Sequence, residues 1–253
     1  MLLCIDVGNT NTVLATFTGD QLVHSWRIKT DERSTSDELG LILRGLLATD
    51  SVHIAGVAAC STVPAALRAL RGMLARYYPG IPSVIVEPGT RTGVPMSIDS
   101  PKEAGADRVV NTLAAYRLHG GPVVVVDFGT STNFDVVGQR GEYLGGVLTA
   151  GIEISVDALA ARAAQLRRIE LVKPPRVIGK STVECLQSGV VYGFAGQVDG
   201  IIRRVIAELG GAVRAVVATG GLASVVLDEC ETVTHYEPML TLIGLRLVFE
   251  RNA

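Results

Sequence analysis

The sequence is poor in cysteine, aromatic and charged residues, and each of these shortages excludes a class of protein. Its four cysteines are dispersed among 253 residues and form no C-x-x-C pair, which argues against a disulfide framework and a zinc ribbon. Aromatic residues make up 5% of the chain and charged residues 19%, against 48% hydrophobic residues. This composition excludes a disordered polypeptide, and with 28 glycines it is typical of a turn-rich α/β protein.

The sequence also lacks a strong net charge and a long hydrophobic segment. The formal net charge of −2 predicts no attraction to nucleic acid or to an anionic membrane surface. The longest uncharged apolar run, residues 120–126, is far shorter than the about 20 residues that a membrane span needs. No signal peptide is readable before Asp6. We therefore predict a cytoplasmic protein with neither a nucleic-acid nor a membrane partner.

Several familiar catalytic motifs are missing as well. The segment 179–181 imitates the end of a P-loop, but Pro174 stands where that motif needs its first glycine. The chain has no G-x-G-x-x-G motif and no nucleophile elbow, and its four histidines are too scattered for a metal cluster. These absences exclude the common signatures of nucleotide binding, zinc hydrolysis and serine catalysis.

One pattern occurs twice. The seven residues DVGNTNT, beginning at Asp6, follow an apolar stretch, and DFGTSTN, beginning at Asp127, follows another 121 residues later. Each copy continues into an apolar stretch, a polar turn and a third strand-like stretch. The repeat predicts two copies of one unit, residues 1–118 and 119–253, each a meander of strands followed by helices.

Helical patterns fill the remaining sequence, and one of them is unusual. Apolar spacing and start signals predict helices over 37–48, 109–116, 152–166, 182–209 and 240–249. The fourth of these carries Gly189, Gly193, Gly196 and Gly200, although glycine inside a helix costs about 1 kcal/mol relative to alanine. The glycines predict very close packing, against either a neighbouring helix of this chain or a second copy of it.

The two repeated turns are the first candidates for chemistry. Each places a carboxylate, Asp6 or Asp127, at the carboxyl end of a strand. Glycine lets backbone N–H groups approach an anion, Asn and Thr add donors, and an aspartate can hold a cation that screens phosphate charge. Two such turns facing each other across a cleft would hold the phosphates of a nucleotide. The alternative is that both are ordinary hairpin turns, which the same residues favour.

A second candidate is the pair Asp107 and Arg108, just before an apolar helix. An aspartate can accept a proton from an attacking hydroxyl, and an arginine offers a fork that matches a carboxylate. The alternative is that Asp107 caps the helix. The pair Gly220 and Gly221, after a strand, could border an adenosine or form a plain turn.

Taken together and in order, these motifs resemble those of the type III pantothenate kinases. The resemblance covers essentially the whole chain, through DVGNT at 6–10, GADR at 105–108, DFGT at 127–130, GG at 145–146, GKST at 179–182, TGG at 219–221 and LTLIGLR at 240–246. It implies an α/β protein with the duplicated ribonuclease-H-like fold of actin-like ATPases and sugar kinases, its two domains enclosing a nucleotide cleft. It also implies ATP-dependent phosphorylation of pantothenate to 4'-phosphopantothenate, the first step of coenzyme A biosynthesis. Mg²⁺, a monovalent cation (K⁺ or ammonium) and a homodimer are part of the same implication.

The resemblance further implies roles for particular residues. Asp107 would be the catalytic base, Asp127 would hold the monovalent cation, and Thr130 would contact ATP. The ATP phosphates would be held by Asp6, Val7, Gly8, Asn9, Thr10, Asn11, Thr12 and Val13. Pantothenate would be bound by Gly105, Ala106, Asp107 and Arg108, and by Thr182 from the dimer side. Two positions depart from the family pattern: Ile98 replaces an aromatic residue near the substrate, and Ala150 replaces a proline.

Two other functions remain open from the sequence. One is a regulatory protein of the same fold that binds nucleotide without turnover, and the other is a filament-forming relative of actin. Asp6 and Asp107 together favour the enzyme, because a site without turnover has no need of a base. A chain of 253 residues leaves no room for the extra subdomains of a filament protein.

Overall fold

The computed structural model describes residues 1–48, 53–162, 169–211 and 213–253. They divide into two compact units. The first unit comprises Met1–Val94, Asp99–Ala114 and Leu240–Ala253, and the second comprises Pro95–Ile98 and Ala115–Met239. The final segment thus belongs to the first unit, whereas the repeat assigned it to the second half. The boundary at residue 118 stays a prediction.

Strands and helices alternate along the chain in an order that is largely repeated. The elements up to the middle of the chain are β1 (Leu2–Val7), β2 (Asn11–Thr18), β3 (Gln21–Lys29), α1 (Ser36–Ala48), β4 (Gly56–Ser61), α2 (Pro64–Tyr77), β5 (Ser83–Ile85) and α3 (Ala106–His119). They are followed by β6 (Val123–Phe128), β7 (Ser131–Val137), β8 (Tyr143–Ala150), α4 (Ile152–Arg162), α5 (Thr182–Glu208), β9 (Ala215–Thr219), α6 (Ala223–Val226), β10 (His235–Tyr236) and α7 (Leu240–Asn252).

The sheet of the first unit has the order β3-β2-β1-β4-β5. β1 pairs antiparallel with β2 and parallel with β4, so that Asp6 lies in register with Cys60. Because side chains alternate along a strand, Leu3 and Ile5 point to one face and Cys4 and Asp6 to the other. Leu3 and Ile5 belong to the hydrophobic core that also takes in residues of α1 and α2.

The opposite face of this sheet is lined by small side chains, which lets helices approach closely. α7 packs against β1 and β4. Gly244 of α7 lies against the backbone of α3, where an added Cβ would collide with the carbonyl oxygen of Val110. The Thr241 hydroxyl donates a hydrogen bond of 2.8 Å to Oδ1 of Asn111 on α3. α7 therefore fixes the part of α3 that directly follows Asp107.

The sheet of the second unit repeats this topology in the order β10-β9-β6-β7-β8. β6 pairs antiparallel with β7 and parallel with β9, so that Asp127 lies in register with Thr219. The four valines of β6 are fully buried, as expected of a central strand covered on both faces. The predicted α/β fold with an internal duplication is confirmed.

The register also shows where the two copies differ. Val7 pairs with Thr12, which leaves residues 8–11 in the first turn, whereas Phe128 pairs with Thr132, which leaves residues 129–131 in the second. The offset of 121 residues thus holds up to the turns only, because the first turn is one residue longer.

Several local expectations are corrected by the structure. The helix predicted over 109–116 begins earlier, at Ala106, and runs to His119. The helix predicted over 152–166 is described up to Arg162, and residues 163–166 lie outside the described part of the chain. Cys4 and Cys60 are buried as the sequence suggested, but Cys185 is exposed. Among the described residues, no helix combines the length and hydropathy that crossing a bilayer requires.

The glycines of α5 do not pack closely against any described part of this chain. A Cβ built on Gly189, Gly193 or Gly196 would meet nothing within 4 Å, and one on Gly200 would meet only the Arg204 side chain, at 3.5 Å. An intramolecular helix contact therefore does not account for these three glycines within the described residues.

Candidate active site

The first candidate acid, Asp6, is held by a cysteine. The Cys60 thiol donates a hydrogen bond of 3.3 Å to Oδ1 of Asp6. Burial raises the pKa of Asp6 to about 7, and repulsion from the Asp107 carboxylate adds to this, while the thiol hydrogen bond opposes it. The raised pKa means that the ionised carboxylate has lost hydration without an equal gain from neighbouring groups. A cation beside Asp6 would stabilise the ionised form.

The turn that follows Asp6 is closed by backbone hydrogen bonds and presents polar side chains outward. The Gly8 N–H donates to the carbonyl of Asn11 at 3.0 Å, and the Thr30 N–H donates to the carbonyl of Thr10 at 3.0 Å. Asn9, Thr10 and Asn11 are exposed. The turn is therefore a closed polar loop at the carboxyl end of β1.

Asp107 lies in the first turn of α3, as its second helical residue rather than as its cap. Its Oδ1 accepts a hydrogen bond of 2.9 Å from the Arg108 N–H. Burial raises the pKa of Asp107, and the Arg108 N–H and the Arg108 charge partly oppose the shift. Gly105 makes this conformation possible, because a Cβ at that position would collide with Asp107 Oδ1.

In the second unit, Asp127 lies at the end of β6 under a glycine. Gly220 has a φ of +94°, and a Cβ there would lie 2.6 Å from Asp127 Oδ1 and 2.6 Å from the Phe128 nitrogen. The Gly129 N–H donates to the carbonyl of Ser131 at 3.0 Å and closes the turn. Only glycine lets the β9–α6 connection pass so close to this carboxylate.

The other two predicted site residues of the second unit lie on different elements. The Thr130 carbonyl accepts a hydrogen bond of 3.2 Å from the Gly151 N–H, which ties the β6–β7 turn to the start of α4. Thr182 is the first residue of α5 and is exposed. α5 begins there because the Ser181 side chain accepts a hydrogen bond of 3.2 Å from the Glu184 N–H.

The structure thus brings Asp6 and Asp107 together within the first unit, close enough for the charge of one to shift the pKa of the other. It also adds Cys60, to which the sequence motifs assigned no role. The one signal that could have found Cys60 is its place at the end of a strand parallel to β1, in register with Asp6.

The acids fit a divalent cation that is shared with a nucleotide. Among the residues that the structure describes, no group of three or more His, Cys, Asp or Glu side chains could hold a metal ion without further ligands. Mg²⁺ is usually bound by one or two carboxylates together with substrate phosphates, and keeps several waters. Asp6, a hard oxygen donor beside the polar turn of residues 8–11, fits that requirement.

Solved structures define the class to which this architecture belongs. The chain superposes on the inorganic polyphosphate/ATP-glucomannokinase of Arthrobacter sp. strain KM with a TM-score of 0.55, covering 100% of this chain and 99% of that one at 13% identity. The archaeal actin homolog Ta0583 gives the same TM-score and identity, covering 99% of both chains. Likeness at such low identity shows the fold, which is that of the actin-like ATPases and sugar kinases.

The sequence comparisons go further than the fold. The family model described as type III pantothenate kinase matches residues 2–204. The type III pantothenate kinase of Salinispora arenicola (strain CNS-205) is 70% identical over 252 residues, covering 100% of both proteins. The chain therefore belongs to the type III pantothenate kinase family, and the resemblance inferred from its motifs is confirmed. It is accordingly a kinase, an enzyme that uses ATP with a divalent metal ion.

Proposed function

We propose that this protein transfers the γ-phosphoryl group of ATP to the hydroxyl of pantothenate that becomes the 4'-phosphate. The products are ADP and 4'-phosphopantothenate, and the reaction is the first step of coenzyme A biosynthesis. The observation that carries this proposal is the 70% identity, over the full length of both chains, to a type III pantothenate kinase. We also propose that the protein works in the cytoplasm, where its four free cysteines would stay reduced.

Asp107 is the proposed general base. As the hydroxyl oxygen of pantothenate bonds to the γ-phosphorus, the bond from that phosphorus to the β-phosphate oxygen breaks, and the hydroxyl proton passes to the Asp107 carboxylate. Burial raises the pKa of Asp107, which makes it a better proton acceptor. The Arg108 N–H and the Arg108 charge oppose part of that rise in pKa.

The turn after Asp6 is the proposed phosphate site. Its backbone N–H groups and the exposed side chains of Asn9, Thr10 and Asn11 would bind phosphate oxygens, and Asp6 would hold Mg²⁺ together with them. When bound, Mg²⁺ supplies positive charge that offsets the charge of the phosphates. In the second unit, Thr130 would contact ATP and Asp127 would hold K⁺ or ammonium, since a strand-end carboxylate in a glycine-flanked turn offers a hard oxygen ligand.

The segment 105–108 is the proposed pantothenate site. Pantothenate carries a carboxylate, which the guanidinium group of Arg108 can bind through two parallel hydrogen bonds. Thr182 would contribute a hydroxyl from the partner subunit of a homodimer. Ile98, where the family pattern has an aromatic residue, offers a smaller apolar surface to the substrate.

The homodimer is supported by a surface of α4 and α5. Gly189, Gly193 and Gly196 leave open space along α5. Leu159 of α4 and Val183 of α5 are each 49% exposed. A groove of about 320 Å³ between the two helices is lined by Leu159, Leu186, Gly189 and Phe194, among others. A second copy of the chain would cover these apolar groups and bring its own Thr182 to the site.

The dimer is tested by Gly193→Leu, which inserts a side chain where two backbones would meet. Overpacking of this kind costs about 1–3 kcal/mol. We expect the variant to sediment as a monomer at micromolar concentration and to lose activity. Because Gly193 contacts nothing in the described chain, circular dichroism should show an intact fold. An active monomer, of the wild type or the variant, would refute the shared site.

The reaction itself is tested by incubating the purified protein with ATP, Mg²⁺, K⁺ and pantothenate. Release of ADP that depends on pantothenate, with 4'-phosphopantothenate identified by mass spectrometry, is the expected result. The matched control omits pantothenate and measures the background hydrolysis of ATP. Binding of ATP without formation of this product would instead support a regulatory protein without turnover.

A further inference from the structure

Asp6 has one hydrogen-bonding side chain around it in the described part of the chain, the Cys60 thiol. The contact follows from the sheet itself, because Asp6 and Cys60 are register partners on the parallel strands β1 and β4 and point to the same face. Cys60 is 0% exposed, and its sulfur lies 3.3 Å from Asp6 Oδ1. The thiol is thus placed by two central strands and has little freedom to move.

We propose that Cys60 is a positioning residue of this kinase, whose thiol holds the Asp6 carboxylate in the orientation that the nucleotide phosphates and their divalent cation require. The proposal rests on the proposed function of Asp6. Cys60 lies beside Asp6 in the sheet, so it acts on the nucleotide through that carboxylate.

The direction of the hydrogen bond follows from the chemistry of the two groups. A carboxylate oxygen only accepts hydrogen bonds, whereas a thiol carries a hydrogen that it can donate. The hydrogen bond therefore runs from the Cys60 S–H to Asp6 Oδ1. An S–H group is a weak donor, so it can orient the acid while leaving it available to a cation.

The second unit offers a parallel. Thr219, another small side chain with a donor group, occupies on β9 the register position that Cys60 occupies on β4. In both units, the residue beside the strand-end aspartate can donate a hydrogen bond, whereas the position two pairs earlier, on the same face of each sheet, is held by Ala58 or Val217. A donor at this place, rather than small size alone, distinguishes the position.

The test compares three variants of buried thiols. Cys60→Ala removes the donor, and Cys60→Ser keeps a donor of similar size. Cys4→Ala is the matched control, because Cys4 is also 0% exposed and lies in β1, but makes no hydrogen bond through its thiol within the described residues. Both alanine variants remove one buried sulfur from the same sheet, so a purely structural role predicts similar losses for the two.

We expect Cys60→Ala to raise KM for ATP and to lower kcat. Together these changes should lower kcat/KM for ATP by about 10-fold, as is common when a group that orients a metal ligand is removed. KM for pantothenate should change little. Cys60→Ser should recover most of the loss, and Cys4→Ala should resemble the wild type. The proposal is overturned if Cys60→Ala and Cys4→Ala have the same kcat and KM for ATP, or if Cys60→Ser is as impaired as Cys60→Ala.

A second readout does not need turnover. The infrared S–H stretching band of Cys60 can be assigned from the difference between wild-type and Cys60→Ser spectra. Removing the acceptor by Asp6→Ala should move this band to higher frequency, and an unchanged band would overturn the contact. If the wild type makes no 4'-phosphopantothenate, the proposed function fails, yet this band still decides whether the thiol binds Asp6.

Discussion

Each unit places an aspartate at the equivalent point of its own sheet, but the surroundings of the two aspartates differ. On the neighbouring parallel strand, Asp6 has the Cys60 thiol beside it. Asp127 has Thr219 at the equivalent position, and Gly220 follows Thr219 in the chain. The backbone at Gly220 packs directly against Asp127, since a Cβ added at Gly220 would lie 2.6 Å from the Asp127 carboxylate. One acid is thus oriented by a side chain, and the other is confined by a main chain.

The turns after these acids differ in length. The first turn, residues 8–11, has one residue more than the second, residues 129–131, between paired strand positions. The longer turn therefore has one more backbone N–H and one more side chain than the shorter turn. The duplicated scaffold has therefore kept its sheet, while turn length and neighbouring side chains set each site apart.

The helices that follow the last strand of each sheet, α3 and α7, differ in their second residue. The second residue of α3 is Asp107, and the second residue of α7 is Thr241. Thr241 uses its hydroxyl for a structural hydrogen bond to Asn111. Of these two equivalent helices, only α3 carries an acid at this position, and this asymmetry gives the largest predicted effect.

Asp107→Asn should lower kcat by about 10²–10⁴-fold while ATP still binds, because the amide cannot accept the hydroxyl proton. Steady-state kinetics and nucleotide titration measure the two effects. A near-normal kcat in Asp107→Asn would remove Asp107 from the role of base.

The second prediction concerns the cation at Asp127. Wild-type activity should rise from near zero when K⁺ or ammonium replaces Na⁺ at constant ionic strength, because the cation proposed at Asp127 would neutralise phosphate charge. Asp127→Asn should lose this response, since it removes the charge that holds the ion. Equal wild-type rates in Na⁺ and K⁺ would show that the second turn holds no such cation.

The third prediction compares one glycine beside each acid. Gly220→Ala should destabilise the protein by about 1–3 kcal/mol, because its Cβ would overlap Asp127 and Phe128 at a φ of +94°. Gly8→Ala should cost less than about 1 kcal/mol, since its Cβ would lie 3.1 Å from a single atom, the Asn11 carbonyl oxygen. Urea unfolding measures both, and the reverse order would contradict the tighter confinement of Asp127.

The last prediction is a pH dependence of stability. Burial raises the pKa of Asp6 from 3.8 to about 7, so the folded state holds a proton that the unfolded chain loses, and stability declines as pH rises through this interval. Asp6→Asn removes the titration. At pH 8 the variant should be more stable than the wild type, with the difference vanishing near pH 4. A difference that is the same at both pH values would contradict the buried charge.

Much of the fold could be predicted because its signals are local. The valine run before Asp127 and the apolar stretch before Asp6 identify the central strands, and the repeated polar turns identify the duplication. The difference in turn length could not be predicted in this way, because the two repeated segments are both seven residues long and similar in sequence. Only the strand pairing shows that Thr12 corresponds to Thr132.

The missed parts of the site depend on contacts between distant segments. Cys60 lies 54 residues from Asp6, and nothing in its local sequence distinguishes it from the other buried cysteine, Cys4. The assignment of α7 to the first unit likewise follows from packing against β1 and β4, which periodicity cannot reveal. The α5 glycines predicted close packing, and for Gly189, Gly193 and Gly196 the described part of the chain does not provide it.

The place of α7 bears on how the protein folds during translation. The second unit is formed mainly by one continuous segment, Ala115–Met239, whereas the first needs α7 in addition to its early strands. The ribosome makes β1 first, but the helix that packs against it emerges only after the whole second unit. Contiguous domains can fold as they emerge. The nascent chain should therefore complete its second unit before its first. Until α7 has been synthesised, Cys4 of β1 and Ala58 of β4 lack the helix that packs against their strands.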